Sequence, residues 1–491
     1  MGTILQSDRK IDYMKIIKSA KGNSYLFDER NKYVQYISKD YLGYLDDALD
    51  IPVKSEIKQQ VDFLKAHHLL EKEPPNNAFR LLTEKDIDEA LCNTRQIIFE
   101  VTDNCNLQCY YCGYGNLYNN YDPRINKNLN FKLFLSLYSY MRALWGKHNN
   151  IGNNKLRISF YGGEPLLNFS FIQKVVDYIS CNPISGKYIS YSMTTNGLLL
   201  NQYIDYLVQH KFDILVSIDG NKNNNSYRKY KNGRSSFNDV IKNLDYIQNK
   251  HPLYFDTHVN FNSVLHDRNS VEETSAFLFS KYKKYPMTNE LNIFGVVPER
   301  RKEFATMFRS KMEDYRTILN KRVKAAIDKD SPKIVRYEKI LFSTKLFCYN
   351  VDFNRIMSED YICDSTEGYM LPTKTCIPFS RKIFVSVQGK IYPCERIGNE
   401  INFGNVDEIS VHIDKKGIVE KYNLLFAKYV GLCQKCKMID TCSVCIASDI
   451  EGNEICKKNN NIAPHIWEEL ISYFEEYPEK CNEIIKNVSM I

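Results

Sequence analysis

The chain has 491 residues, 43% hydrophobic and 25% charged, a balance that suits a water-soluble globular protein with room for two or three domains. Its net charge of +7 comes without a long Lys/Arg block, Met1 to Lys21 is polar and interrupted by charge, and no apolar run approaches membrane-spanning length, which argues against nucleic-acid, export and membrane roles. The expectation is a cytoplasmic protein, in which fifteen cysteines cannot be a disulfide framework and metal is the first alternative.

Residues 1–90 read as a small separate domain. Runs at 24–28 and 33–37, separated by Glu29-Arg30-Asn31-Lys32, predict a hairpin. Helical pattern follows at 39–49 and 55–70, where Ile57, Val61, Leu64 and His68 share a face. His67 and His68 read as helix-end or core residues rather than ligands. Glu73-Pro74-Pro75-Asn76-Asn77 marks a linker.

From about 95 to 300, strand patterns at 95–101, 155–161, 188–194, 212–218, 255–264 and 290–297 alternate with helical ones, predicting a parallel sheet with crossover helices. The first strand opens into Cys105-x3-Cys109-x2-Cys112, with Tyr111 before the third cysteine. Three thiolates in one loop can converge on a four-iron cube and leave one iron open, whereas a structural cluster would take four; a zinc knuckle is the other reading.

The second strand ends in Gly162-Gly163-Glu164-Pro165 and the third in Met193-Thr194-Thr195-Asn196-Gly197. The fourth ends in Ser217-Ile218-Asp219-Gly220, which is either a binding edge or ordinary Asp-Gly turn chemistry. Arg228 and then Gly233-Arg234-Ser235-Ser236-Phe237 follow. Residues 299–328 predict a long charged helix with a solvated face.

A second cysteine field lies near the C-terminus. Cys376 is followed by twelve residues, Gly389, four residues and Cys394, then Cys433-x2-Cys436-x5-Cys442-x2-Cys445 and Cys456. Such pairs suit zinc as well as iron. Cys92, Cys181, Cys348 and Cys481 fit no spacing and read as buried free thiols.

The cysteine loop, the Gly-Gly-Glu-Pro turn and the Thr-Thr-Asn-Gly segment together resemble the radical S-adenosylmethionine (radical SAM) enzymes, and the C-terminal field resembles their SPASM extension, with two residues in place of three between Cys442 and Cys445. The resemblance implies an α/β fold, a partial (β/α)6 barrel at 91–300, with a winged-helix-like peptide-recognition domain at 1–90 (or, as the other reading, a packing extension of the barrel), a helical bridge at 301–360 and a SPASM domain at 361–491. It implies a [4Fe-4S] cluster on Cys105, Cys109 and Cys112 whose open iron chelates SAM, reductive cleavage to a 5'-deoxyadenosyl radical, and a SAM pocket formed by Tyr111, Gly162, Gly163, Glu164, Thr194, Asn196, Ser217, Asp219 and Arg228. Within that pocket Glu164 would accept from the SAM ammonium, Ser217 and Asp219 would hydrogen-bond the ribose, and Arg228 would pair the SAM carboxylate.

Two auxiliary [4Fe-4S] clusters are implied as well, one on Cys376, Cys394 and Cys445 with Cys363 as its fourth ligand, the other on Cys433, Cys436, Cys442 and Cys456. Should Cys363 not reach, one auxiliary iron would stay open to substrate. Glu395 stands where sulfatase-maturing relatives carry an Asp that takes a proton; it would do the same or balance Arg396. The expected function is maturation of a ribosomally made precursor peptide, held by its leader, through a thioether or carbon-carbon crosslink, with a flavodoxin or ferredoxin as reductant. The alternatives are an anaerobic sulfatase-maturing enzyme and a non-catalytic peptide-binding protein that keeps the fold.

Overall fold

The computed structural model of the protein describes residues 14–28, 33–37, 79–147, 155–311, 313–314, 371–373, 375–399, 401–434, 444–447, 464–476 and 478. The chain forms two units. One combines Met1–Leu82, Asp328–Thr375 and Tyr422–Ile491; the other combines Thr83–Ile327 with Cys376–Lys421. The predicted helices at 39–49 and 55–70, the linker at 73–77, and His67 and His68 lie outside the described residues.

In the first unit, β1 (Met14–Lys18), β2 (Ser24–Asp28) and β3 (Tyr33–Ile37) form a three-stranded antiparallel sheet. The predicted hairpin is present, in the register Ser24↔Ile37. The additional strand β1 was hidden by its charged, polar surroundings. A helix at Pro464–Glu476 packs on this sheet, where the Tyr25 hydroxyl and the Asn23 amide both donate to Glu475 Oε1.

The second unit is built on a sheet of order β13-β12-β11-β10-β4-β5-β6-β7-β8-β9. Strands β4 (Gln96–Thr102), β5 (Lys155–Gly162), β6 (Tyr188–Thr195), β7 (Asp213–Ser217), β8 (Val259–Val264) and β9 (Met287–Asn289) are parallel. Before β4 comes α1 (Glu84–Cys92), started by a reciprocal Thr83–Asp86 cap. Crossovers are made by α2 (Phe131–Lys147), α3 (Phe169–Cys181), α4 (Leu200–Gln209), α5 (Phe237–Lys250), α6 (Pro252–His258) and α7 (Val271–Tyr282).

In β4, Ile97, Ile98, Phe99 and Val101 are all buried, as expected of a parallel strand covered on both faces. Helix α3 buries Ile172, Val175, Val176 and Ile179 along one stripe, each contributing about 1.5–3 kcal/mol of apolar burial. On the far side of β4 the sheet is extended by β10 (Lys382–Val385), which is parallel to it, and then by β11 (Lys390–Tyr392), β12 (Gly404–Val406) and β13 (Val411–Ile413) in antiparallel pairing.

Three predicted elements differ. The run 255–264 is a helix before it is a strand: Pro252 starts α6, which buries Tyr254 and Phe255, and β8 begins only at Val259. The segment 290–297 is not a strand of the sheet; β9 ends at Asn289, Gly295 takes φ +68°, and Val296 instead bridges Tyr118 in the segment that follows the cysteine loop. The helix expected over 299–328 is interrupted, because α8 (Arg301–Met307) ends at Phe308, whose ψ of 130° is extended; Lys311, Glu313 and Asp314 are helical again, and 315–328 lie outside the described residues.

Candidate active site

The C-terminal ends of β4 to β7 carry the residues that the sequence singled out. At the end of β4 the buried Asp103 carboxylate accepts from Ile125 N (2.8 Å) and Lys127 N (2.7 Å), folding the segment after the cysteines back onto the strand. The cysteine loop itself is strapped to the chain beyond β7: Gln108 N donates to Lys229 O (2.7 Å) and Tyr110 N to Tyr227 O (3.1 Å). Cys105, Cys109 and Cys112 are partly buried and form no disulfide. Cys105 Sγ faces Leu107 N at 3.4 Å and Asn196 Nδ2 at 3.8 Å, and Cys112 Sγ faces Arg124 Nη2 at 3.4 Å. Burial pushes the Cys109 thiol up to about 12, with Arg228 pulling the other way. Burial raises Cys105 too, against the Leu107 N–H and the charge of Arg124.

The Gly-Gly-Glu turn after β5 leans directly on this loop. Gly163 N donates to Thr102 O and Glu164 N to Asn104 O, both at 2.8 Å. A Cβ on Gly163 would lie 2.0 Å from Asn104 O, and one on Gly162, where φ is +133°, would lie 2.2 Å from Thr102 O. Both glycines therefore let one backbone approach another. The Glu164 carboxylate is fully buried and accepts from Thr195 Oγ1 (2.7 Å), Leu166 N (3.1 Å) and Asn196 N (2.8 Å). Burial pushes it up to about 7, while those three donors pull it down. Asn196 in turn donates to Asn106 Oδ1 at 2.7 Å, so Glu164 and Asn196 tie the ends of β5 and β6 to the cysteine loop. Thr194 sits in β6 in register with Leu215; its neighbour Thr195 is the residue that binds Glu164.

Beyond β7, Asp219 is the centre of a buried network. Arg228 donates to it twice, Nε to Oδ2 and Nη2 to Oδ1, each at 3.0 Å; Val264 N donates to Oδ1 at 3.0 Å, and the Tyr111 hydroxyl donates to Oδ2. His266, which no sequence motif singled out, stacks on Tyr111 with ring centroids 5.7 Å apart. Its Nδ1 accepts from Arg268 N at 3.1 Å, so its proton is on Nε2, 3.7 Å from Asp219 Oδ2. Burial alone would raise the Asp219 carboxyl, but Arg228 and His266 outweigh it and hold it at about 2. The Arg228 fork thus closes on Asp219. Ser217 ends β7 in register with Asn262.

The family model of the radical SAM superfamily matches residues 99–275, which takes in the cysteine loop, the glycine turn and the Asp219 network. The chain belongs to the radical SAM superfamily. It is 32% identical to the uncharacterized protein MJ0907 of Methanocaldococcus jannaschii over 230 residues, 46% of this chain and 71% of that protein. It is 24% identical to the radical SAM cyclopropyl synthase TigE of Paramaledivibacter caminithermalis over 368 residues, covering 74% and 68% of the two chains. A cysteine-type anaerobic sulfatase-maturating enzyme of Clostridium novyi is 22% identical over 410 residues, 80% of this chain and 97% of that enzyme. Among solved structures, hexahistidine-tagged anSMEcpe with bound AdoMet shares the fold at a TM-score of 0.50 and 18% identity, covering 81% of this chain and 97% of that one.

As a radical SAM protein the chain is expected to carry a [4Fe-4S] cluster and SAM, and the cysteine loop has the chemistry for the cluster: three thiols in one loop, with an N–H and a guanidinium aimed at two of the sulfurs, as anionic sulfur requires. Among the described residues no three His, Cys, Asp or Glu side chains converge as they would on a single ion.

Glu395 lies beside the loop in a hollow lined also by Glu100, Tyr114, Tyr121, Asp122 and Phe384. Its Oε1 accepts from Lys382 Nζ of β10 at 2.8 Å, so among the described residues its ion-pair partner is Lys382 and not Arg396, and its Oε2 is buried with no partner among them. Tyr114 and Tyr121 pack with ring centroids 5.5 Å apart, and the Tyr121 hydroxyl reaches Arg396 O at 3.4 Å.

Of the auxiliary cysteines expected from the sequence, Cys376 (exposed) and Cys394 (partly buried) belong to the unit that holds the parallel strands, whereas Cys433 (buried) and Cys445 (partly buried) belong to the other. Cys363, Cys436, Cys442 and Cys456 lie outside the described residues, as do Cys348 and Cys481. Cys92 is buried, as expected; Cys181 is exposed instead, because it ends α3 on the solvent side.

Proposed function

We propose that this radical SAM enzyme binds SAM at a cluster held by Cys105, Cys109 and Cys112 and oxidatively modifies a precursor peptide, forming a thioether or carbon-carbon crosslink. The observation that carries the reading is the mutual locking of the cysteine loop, the Glu164 turn and the Asp219 network at one end of the parallel sheet, the end at which such folds bind and react. When bound, the cluster and SAM supply one electron and a hydrogen-abstracting radical. The protein's own residues orient that chemistry. Tyr111 is pinned by Asp219, Asn196 is pinned by Glu164, and the glycine turn brings β5 against the loop without a side chain in between. The pocket for SAM is formed by Tyr111, Gly162, Gly163, Glu164, Thr194, Asn196, Ser217 and Asp219; Arg228 serves it by fixing Asp219.

Glu395, with one oxygen on Lys382 and one bare, is the group that accepts a proton from the substrate as it is oxidised. Cys363, Cys376, Cys394 and Cys445 hold one auxiliary cluster and Cys433, Cys436, Cys442 and Cys456 the other, and a flavodoxin or ferredoxin delivers electrons. The small β1–β3 sheet suits recognition of a leader peptide by strand addition at an edge. A polypeptide substrate is consistent with the sulfatase-maturating relative, which keeps formylglycine formation as the second reading.

The test is anaerobic co-expression with a small peptide encoded beside the gene, read by intact mass. A loss of about two mass units per event that disappears with Cys105→Ala supports peptide oxidation. An unchanged mass, with no deuterium uptake from solvent, sinks it in favour of the sulfatase reading.

A further inference from the structure

Two guanidiniums approach the cysteine loop, and their surroundings differ. Arg228 is neutralised by Asp219. Among the described residues Arg124 has no carboxylate in ion-pair contact, and its Nε is buried without a hydrogen-bond partner. Its Nη2 lies 3.4 Å from Cys112 Sγ, within reach of an N–H···S bond, and its guanidinium carbon is 4.8 Å from the centroid of the Tyr114 ring. The Tyr114 hydroxyl is anchored on Glu100 Oε1. The backbone is fixed just as firmly, since Asp103 takes the N–H groups of Ile125 and Lys127 immediately after Arg124. A partly buried cation, its Nε out of water and no carboxylate paired with it among the described residues, is best satisfied when an anion completes the site. The sulfur it faces becomes anionic when it binds iron.

We propose that Arg124 is the residue that sets the reduction potential of the cluster held by Cys105, Cys109 and Cys112. On accepting an electron the cluster gains one negative charge. A fixed cation that also donates to a ligating sulfur favours that reduced state, so it raises the potential and eases electron uptake from the reducing partner. Tyr114 and Asp103 are positioning residues for the guanidinium. This inference rests on the cluster assignment proposed above and goes beyond it, because it assigns a role to a residue outside the motifs.

The experiment is a redox titration of the anaerobically reconstituted full chain, following by electron paramagnetic resonance the reduced-cluster signal that changes when SAM is added. Wild type is compared with Arg124→Gln and Arg124→Lys, with iron content measured in each. The expected result is a lower midpoint for Arg124→Gln with iron retained, on the order of a tenfold smaller reduced-to-oxidised ratio at a fixed potential, equivalent to about 59 mV for one electron. Arg124→Lys keeps the charge but loses the planar fork, and falls between the two. If Arg124→Gln loses its iron, Arg124→Lys decides: a lowered midpoint supports the proposal and a wild-type midpoint overturns it. Unchanged midpoints in both variants overturn it outright. A wild-type chain with no SAM-responsive signal, or one whose signal survives Cys105→Ala, defeats the cluster assignment itself.

Discussion

Arg228 and Asp219 meet through two 3.0 Å hydrogen bonds with the carboxylate wholly out of water. The pair is also the anchor of Tyr111, so it couples the chain after β7 to the cysteine loop. Asp219→Asn leaves a buried guanidinium without its charge partner and should cost about 3–5 kcal/mol. Replacing both residues, Asp219→Asn with Arg228→Met, should cost less than the sum of the single changes. Urea denaturation of the four proteins completes the cycle, and additive costs would show that the pair is not coupled.

The pH dependence of stability should have two separate windows. Glu164 has an ordinary value of 4.5 and is raised to about 7 in the fold, so its contribution is fully present below 4.5 and is lost as pH rises towards 7. The size is about 3 kcal/mol. Asp219 is lowered from 3.8 to about 2, so its contribution is present above 3.8 and is lost as pH falls towards 2. Denaturation midpoints measured from pH 5 to 8 should therefore decline, and Glu164→Gln should flatten that decline while lowering stability at pH 5. An equal slope in the variant would remove Glu164 as the cause.

Gly163→Ala should disable the site without touching a ligand. The new Cβ would lie 2.0 Å from Asn104 O, so the Glu164 N to Asn104 O bond must break or the cysteine loop must move. Overpacking of this kind costs about 1–3 kcal/mol. The expected readout is reduced iron retention after reconstitution together with reduced SAM cleavage; full retention of both would mean that the loop and the turn are not rigidly coupled.

Glu395→Gln separates the two halves of the proposed reaction. The residue contacts Lys382 and none of the hydrogen-bonded network around Glu164 and Asp219, so SAM cleavage under reducing conditions should survive. Peptide oxidation should fall by about 100-fold or more, the scale of a lost general base. Release of 5'-deoxyadenosine and intact peptide mass, measured in the same reaction, report each half. Oxidation at the wild-type rate would exclude Glu395 as the proton acceptor.

Much of the site was legible because its chemistry is written in contiguous residues at strand ends. The cysteine triplet, Gly162-Gly163-Glu164 and the Thr194-Thr195-Asn196 segment each occupy one turn of chain, where spacing alone carries information, although the threonine singled out was Thr194 and the one that binds Glu164 is Thr195. Arg124 and His266 belong to no such turn. They reach Cys112 and Asp219 through space, and nothing in their local sequence announces it. Strand positions were legible where β-branched and aromatic residues form an unbroken buried run, as in β4. They were misread where Pro252 turned the same composition into a helix, and where Gly295 and its neighbours left the sheet for the segment after the cysteines. The addition of β10 beside β4, far along the chain from it, is a long-range pairing that periodicity cannot express.

That pairing bears on how the protein can be taken apart. Strand β4, which bears the cysteine loop, is an interior strand only because Lys382–Val385 lies along it in the register Ile97↔Ile383 and Ile98↔Phe384. A fragment ending near residue 311, at the apparent close of the barrel pattern, would expose the unpaired hydrogen-bonding groups of Ile97, Ile98 and Phe99 along an open apolar edge. Such a fragment is a template for self-association, so the smallest soluble piece that keeps the cysteine loop must extend at least through Val385.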